Sequence, residues 1–229
     1  MEEIKKTKNE EKTGRKWYTV ASAIVVFSLL IVVMLYAIFC FIFPSTKVVG
    51  VSMKPMLNNY EELLDGKDDE FYEESEFQDT IYVNRFNKGS VGDVIVLDKD
   101  GKNVVKRIIA TSNQTLSLQK ESDGYYYFYR DGEKLEEEYI KNREAMNITY
   151  YGKFLATYGS DTITIQDGCV FVLGDNRGYS YDCASYDYKI FTKDTIIGRV
   201  TIQLDYEDNI LAWLWRNFWG LFGLSEQPA

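Results

Sequence analysis

Histidine is absent from all 229 residues of this chain. A serine nucleophile needs a group to take its proton, and the imidazole that usually does so is excluded here. Any such base must be a lysine or a carboxylate. The same absence argues against a zinc site. Cysteine is scarce: of three, Cys40 falls inside an apolar run, which leaves Cys169 and Cys183 as the two that could pair. Three cysteines do not make a disulfide framework. Basic residues are outnumbered, 26 against 35 acidic, for a net charge of −9 and a pI of about 4.7. The first sixteen residues carry Lys5, Lys6, Lys8, Lys12, Arg15 and Lys16 against four Glu, so the remainder is −11. A body this acidic repels nucleic-acid phosphates, and no nucleic-acid partner is expected. No internal repeat is present.

Charge is also missing from Trp17 to Phe43, 27 positions in a row. As a helix this run would be roughly 40 Å long, against a hydrocarbon core of about 30 Å. It can span a bilayer with tilt or with its ends in the interface. Trp17 and Tyr18 suit one headgroup region, Phe39, Phe41 and Phe43 approach the other, and Pro44 stops the helix. A cleaved leader would have a shorter apolar core and a small-residue exit, whereas this run ends in Phe43-Pro44-Ser45. The reading is a retained, single-pass anchor. Its basic flank lies on the N-terminal side, which predicts a cytoplasmic N-terminus and a domain on the extracytoplasmic face.

The chain therefore divides into a cytoplasmic tail (1–16), a transmembrane helix (17–43), a soluble domain (44–204) and an aromatic tail (205–229). Short β-branched runs fill the domain: Thr80–Asn84, Asp93–Leu97, Asn103–Ile109, Thr115–Gln119, Tyr125–Tyr129, Thr162–Ile165, Cys169–Leu173 and Ile196–Gln203. Asp100-Gly101 and Asp131-Gly132 are hairpin signals. The fold class is mainly β, an antiparallel sheet or folded barrel behind an N-terminal transmembrane helix. Asn58–Gln78 is acidic and reads as a solvated loop, and Glu136–Tyr158 is mixed enough to hold a helix. The tail from Ile210 to Leu224 carries Trp213, Trp215, Phe218, Trp219 and Phe222 around Arg216. It is too short for a second span. It reads as an interfacial helix on the bilayer, with a helix packed on the domain as the alternative.

Four segments carry the chemistry. Ser52-Met53-Lys54-Pro55-Met56-Leu57 follows the anchor by nine residues. Asp79-Thr80-Ile81-Tyr82-Val83 with Gly92-Asp93-Val94-Ile95-Val96 comes next, then Val105-Lys106-Arg107-Ile108-Ile109. The last is Gly174-Asp175-Asn176-Arg177-Gly178-Tyr179-Ser180-Tyr181-Asp182. Taken singly, Ser52 reads as a loop hydroxyl or cap, Lys106 as a solvent-facing strand lysine and the glycine run as a turn. All four in this order behind an anchor resemble type I signal peptidase, the membrane-bound Ser/Lys endopeptidase that removes signal peptides. The resemblance covers the anchor and most of residues 44–204, and it points to the single-anchor bacterial form.

That resemblance implies roles for particular residues. Ser52 corresponds to the nucleophile and Lys106 to the general base. Ser180 corresponds to the hydroxyl that orients the amine, with Asp182 supporting it. Asp175 and Arg107 correspond to a structural ion pair beneath the site. Gly174 and Asn176 belong to the turn that carries Ser180, and Met53 and Pro55 shape the turn around Ser52. The Ser52 backbone N–H is the implied first oxyanion donor. The position two residues before it, a hydroxyl in some relatives, is Gly50 here; either its backbone contributes geometry or the main chain alone forms the hole. The implied partners are signal-peptide-bearing preproteins, the lipid bilayer and the protein-export machinery nearby, with no cofactor and no metal. A lysine can act as base only when neutral, and apolar neighbours can depress its ordinary pKa of about 10.4. The flanking Val104, Val105, Ile108 and Ile109 are suited to do so.

The chain also departs from the family pattern. Cys183-Ala184 stands where Ser-Arg often follows, so an arginine partner for Asp182 is missing, and Met56 stands where Thr is common. These departures keep a catalytically silent, membrane-tethered binding protein on the same fold as one alternative. A self-cleaving Ser/Lys protein of the SOS-repressor type is another.

Overall fold

The structure is a computed structural model that describes residues 2–60, 78–140, 142–184, 190–206 and 208–220. Helix α1 (Glu2–Ile42) takes in the apolar run and continues back through the basic N-terminal segment. Its stretch Lys16–Ile42, with a mean hydropathy of 3.0 in its best window, is long and apolar enough to cross a membrane, and none of that window is buried by protein. Pro44 lacks the N–H that would continue the helix, and the chain turns there into a second compact unit.

That unit is built from antiparallel strands. A seven-stranded sheet has the order β1-β2-β11-β3-β4-β9-β10. Its strands are β1 (Ser45–Lys47), β2 (Thr80–Asn84), β3 (Val94–Lys99), β4 (Lys102–Thr111), β9 (Cys169–Leu173), β10 (Phe191–Thr192) and β11 (Ile196–Leu204). A four-stranded sheet has the order β7-β6-β5-β8, with β5 (Thr115–Lys120), β6 (Tyr126–Arg130), β7 (Glu133–Lys134) and β8 (Thr162–Thr164). The eight runs legible in the sequence are strands here. Ser45–Lys47, Glu133–Lys134 and Phe191–Thr192 are too short to have carried a pattern. The β3–β4 hairpin closes through Asp100 and Gly101, whose φ values of 53° and 79° are the pair that a type I′ turn requires.

Strand β3 is central and is buried on both faces. Ile95 and Leu97 enter the larger core; Val94 and Val96 enter a smaller one with Val48, Met53, Leu57, Ile81 and Val83. Helix α2 (Ile148–Tyr158) occupies the mixed 136–158 stretch and brings Tyr150 and Phe154 into the larger core. Asn147 caps its start by accepting from the N–H of Thr149 at 2.9 Å, and Gly159 ends it in the left-handed region. Phe128 of β6, Phe154 of α2 and Phe171 of β9 meet edge to face at 5.8–6.3 Å between ring centres, tying the two sheets and the helix together. Each such ring contributes roughly 1.5–3 kcal/mol by leaving water. Most of the acidic 58–78 stretch (61–77) and the end of the tail (221–229) lie outside the described residues. The tail begins as helix α3 (Ile210–Gly220).

Candidate active site

Ser52 sits on a turn held from outside itself. Asn58 is buried, and its side-chain amide donates to the carbonyls of Val48 at 2.9 Å and Gly50 at 3.0 Å. Its backbone N–H donates to Asp79 Oδ2 at 3.0 Å, while its Oδ1 accepts from the Asp79 N–H at 2.9 Å. Both ends of the Val48–Asn58 segment are thus fixed to the start of β2. Inside the turn, Leu57 N–H donates to the Met53 carbonyl at 3.0 Å, and Met53 and Leu57 plug into the smaller core. Gly50 has φ +87°, a backbone state that side chains disfavour, with open space where a Cβ would stand. It is the backbone conformation, rather than crowding, that glycine meets there. The Lys54–Pro55 peptide is cis.

Lys106 lies in β4, between β3 and β9, opposite Ile95 in register. Strand alternation gives it the face of Ile95 and Ile108, which belong to the larger core, and Arg107 the other face. Lys106 is 4 % exposed. Its Nζ is 2.8 Å from Ser52 Oγ, and it also donates to the Val105 carbonyl at 3.0 Å. Burial pushes the amine below the ordinary lysine range; the charges of Asp182 and Asp175 and the nearby Cys183 thiol pull the other way and are outweighed. The arrangement can therefore present an unprotonated amine to a hydroxyl.

The third wall is the turn after β9. Asn176 N–H donates to the Ser52 carbonyl at 3.1 Å, and its side-chain amide donates to the Val51 carbonyl at 3.1 Å. Ser180 lies against Gly174 with its hydroxyl buried. Asp182 accepts from the backbone N–H groups of Gly174 at 2.9 Å and Ala184 at 3.1 Å. Backbone donors thus hold this carboxylate in a chain that lacks the arginine after it. On the far face of β4, Arg107 forms a two-pronged pair with Asp175, at 2.8 Å and 2.5 Å. Arg107 also donates to the Gly92 carbonyl at 2.8 Å and stacks its guanidinium over Tyr139 at 4.1 Å.

The structure thus brings Ser52, Lys106, Gly174, Asn176, Ser180 and Asp182 together, with Arg107 and Asp175 on the other side of the strand. Sequence reasoning passed over three contributors. Asn58 and Asp79 clamp the Ser52 turn; each lies at the edge of one of the four segments, but nothing in the sequence pairs them. Glu137 is buried and binds Arg177 at 2.6 Å, and Arg177 Nε donates to the Gly174 carbonyl at 3.0 Å. No local signal links residues forty positions apart. Cys169 and Cys183 are both free thiols. Cys183 is buried beside β9 with Sγ accepting from the Val172 N–H at 3.3 Å, and burial pushes its thiol up. Among the described residues no group of three or more Cys, Asp or Glu side chains is placed to hold a metal ion.

A serine hydroxyl against a buried lysine amine, carried on antiparallel sheets, defines a Ser/Lys arrangement. The chain belongs to the signal peptidase family, peptidase S26, whose family model matches residues 20–204. It is 26% identical to signal peptidase I of Bacillus caldolyticus over 200 residues, 86% of this chain and 93% of that one. It is 28% identical to signal peptidase I S of Bacillus subtilis (strain 168) over 159 residues, 69% of this chain and 74% of that one. A crystal structure of a signal peptidase I from Enterococcus faecalis V583 matches at 22% identity with a TM-score of 0.37, over 49% of this chain and 97% of that one.

Proposed function

We propose that this protein is a membrane-bound serine endopeptidase that cleaves signal peptides from exported preproteins through a Ser52/Lys106 dyad. The observation that carries the reading is the 2.8 Å contact between Ser52 Oγ and the buried Lys106 amine. Neutral Lys106 takes the Ser52 proton as Oγ attacks the scissile carbonyl carbon. The oxyanion of the tetrahedral intermediate is met by the Ser52 backbone N–H, held on the turn that Asn58 and Asn176 fix. The Lys106 ammonium returns its proton to the leaving amine, and the acyl-enzyme forms on Ser52. Lys106, again neutral, takes a proton from water as its oxygen attacks the acyl carbon, and the ammonium returns that proton to Oγ as the ester bond breaks. Ser180 and Asp182 are positioning residues for the amine. The Arg107–Asp175 pair holds β4 to the turn after β9 from the opposite face.

In the same reading α1 is a retained single-pass anchor with its N-terminus in the cytoplasm, and the domain works on the extracytoplasmic face near the export machinery. Holding enzyme and preprotein in one bilayer raises their effective concentration. Helix α3 rests in the bilayer interface; Leu211 and Trp215 are 71% and 65% exposed, which suits an apolar face turned to lipid. In a Trp17→Phe variant the remaining tryptophans all lie in α3, and their quenching by brominated lipid checks that placement; no quenching in vesicles would remove it. The catalytic reading is tested on detergent-solubilised full-length protein with a preprotein substrate. Ser52→Ala and Lys106→Ala should each lower the cleavage rate about 10³-fold or more. Folded variants that cut at the normal rate would refute the dyad.

A further inference from the structure

A second feature is built onto the nucleophile turn. A cleft of about 310 Å³ is lined by Lys54, Pro55, Asn59, Asn142, Glu144, Asn176 and Tyr179. Asn176 is the residue whose N–H and side-chain amide hold the carbonyls of Ser52 and Val51. Its Oδ1 accepts from Asn142 Nδ2 at 2.6 Å. Asn142 opens the 3-10 turn Arg143–Ala145 that carries Glu144. That turn docks closely: a Cβ on Gly178 would stand 3.2 Å from Asn142 Nδ2 and 3.3 Å from Ala145 Cβ. The cleft wall is therefore coupled through two asparagines to the backbone of Ser52.

Its chemistry differs from what a cleaved signal peptide presents. Beside Pro55, amides, a phenol, a carboxylate and an amine offer hydrogen bonds and charge, and small apolar residues before a cleavage site would leave most of the lining unmatched. Residues of the segment released as the amine product carry no such restriction. Tyr179 is 65% exposed, a free flat ring for the aliphatic stem of a long side chain, and Glu144 is exposed at the same cleft.

We propose that this cleft is the subsite for a side chain of the leaving segment, and that Glu144 makes it prefer a basic residue over an acidic one. The inference rests on the protease reading above. Lys54, 8% exposed, also lines the cleft, and a cation so near holds the selection to a modest factor.

The test uses the full-length, detergent-solubilised enzyme and peptides that differ only at the first or second residue after the scissile bond, carrying Lys, Gln or Glu. At one of the two positions kcat/KM for Lys should exceed that for Glu by roughly three- to fivefold, the discrimination that an exposed ion pair supplies. Glu144→Gln should bring the ratio to about one and Glu144→Lys should invert it. Equal kcat/KM for all three peptides, or a ratio that Glu144→Gln leaves unmoved, overturns the subsite while the protease reading stands. Failure to cut any peptide overturns the protease reading and the subsite with it.

Discussion

Gly174 lies against Ser52 so closely that a Cβ on it would come within 2.4 Å of the Ser52 carbonyl oxygen and 2.2 Å of Ser180 Oγ. One of those neighbours is backbone, so neither rotamer change nor a small side-chain shift relieves the clash. The glycine is the condition under which the Ser52 turn and the turn after β9 can touch. Gly174→Ala should therefore separate them by a fraction of an ångström and misalign Ser52 with Lys106. Overpacking of this kind costs about 1–3 kcal/mol of stability, whereas a misplacement approaching 1 Å costs about 10²-fold in rate. Denaturant unfolding and kcat/KM, measured on one preparation, should show the larger loss in rate. Unchanged kcat/KM would mean that the two turns move independently.

The depressed amine of Lys106 predicts a pH signature in both activity and stability. In the proposed mechanism the amine must be neutral, so activity should rise with pH through a midpoint below the ordinary lysine value of about 10.4. The stability effect has a definite sign. Between the lowered folded value and the ordinary unfolded value, the unfolded chain binds the proton that the folded protein has lost, so stability from this group rises with pH across that window. Below the window both states are protonated, and the buried ammonium weakens the fold fully. Lys106→Met should remove that pH dependence, flattening the stability curve of the inactive variant over the same interval. Loss of the Ser52 contact offsets part of the gain, about 1 kcal/mol. Unfolding midpoints across the window check this; parallel curves for the two proteins would place the Lys106 pKa near its ordinary value.

Strand patterns were legible because β-branched residues alternate in short runs between Gly- and Asp-containing turns; Thr80–Asn84 and Cys169–Leu173 needed no tertiary information. Ser52 and Lys106 were nameable because four segments stand in the family's order behind an anchor; taken singly, each reads as something plainer. Illegible were the contacts that fix them. Asn58 reads as one polar residue in a loop until the fold lays it along Val48, Gly50 and Asp79. Cys183 and Ala184 looked like a loss beside Asp182, because sequence comparison weighs side chains. The support comes instead from the backbone N–H groups of Gly174 and Ala184, and any residue but proline supplies such a group.

The Glu137–Arg177 pair decides how the turn after β9 is braced. Both side chains are essentially sealed from water, with 0% and 1% side-chain exposure. A buried pair stabilises weakly against an apolar replacement but strongly against the loss of one partner, which strands a charge. Glu137→Gln should therefore cost about 3–5 kcal/mol, and Glu137→Leu combined with Arg177→Met should recover much of it. Activity should not recover in parallel. Arg177 Nε holds the Gly174 carbonyl, and methionine cannot replace that bond, so the stable double variant should still cleave slowly with its defect in kcat. A double variant with full activity would show that Gly174 is held by packing against Ser52 and Ser180 alone, and that the ion pair serves the core rather than the site.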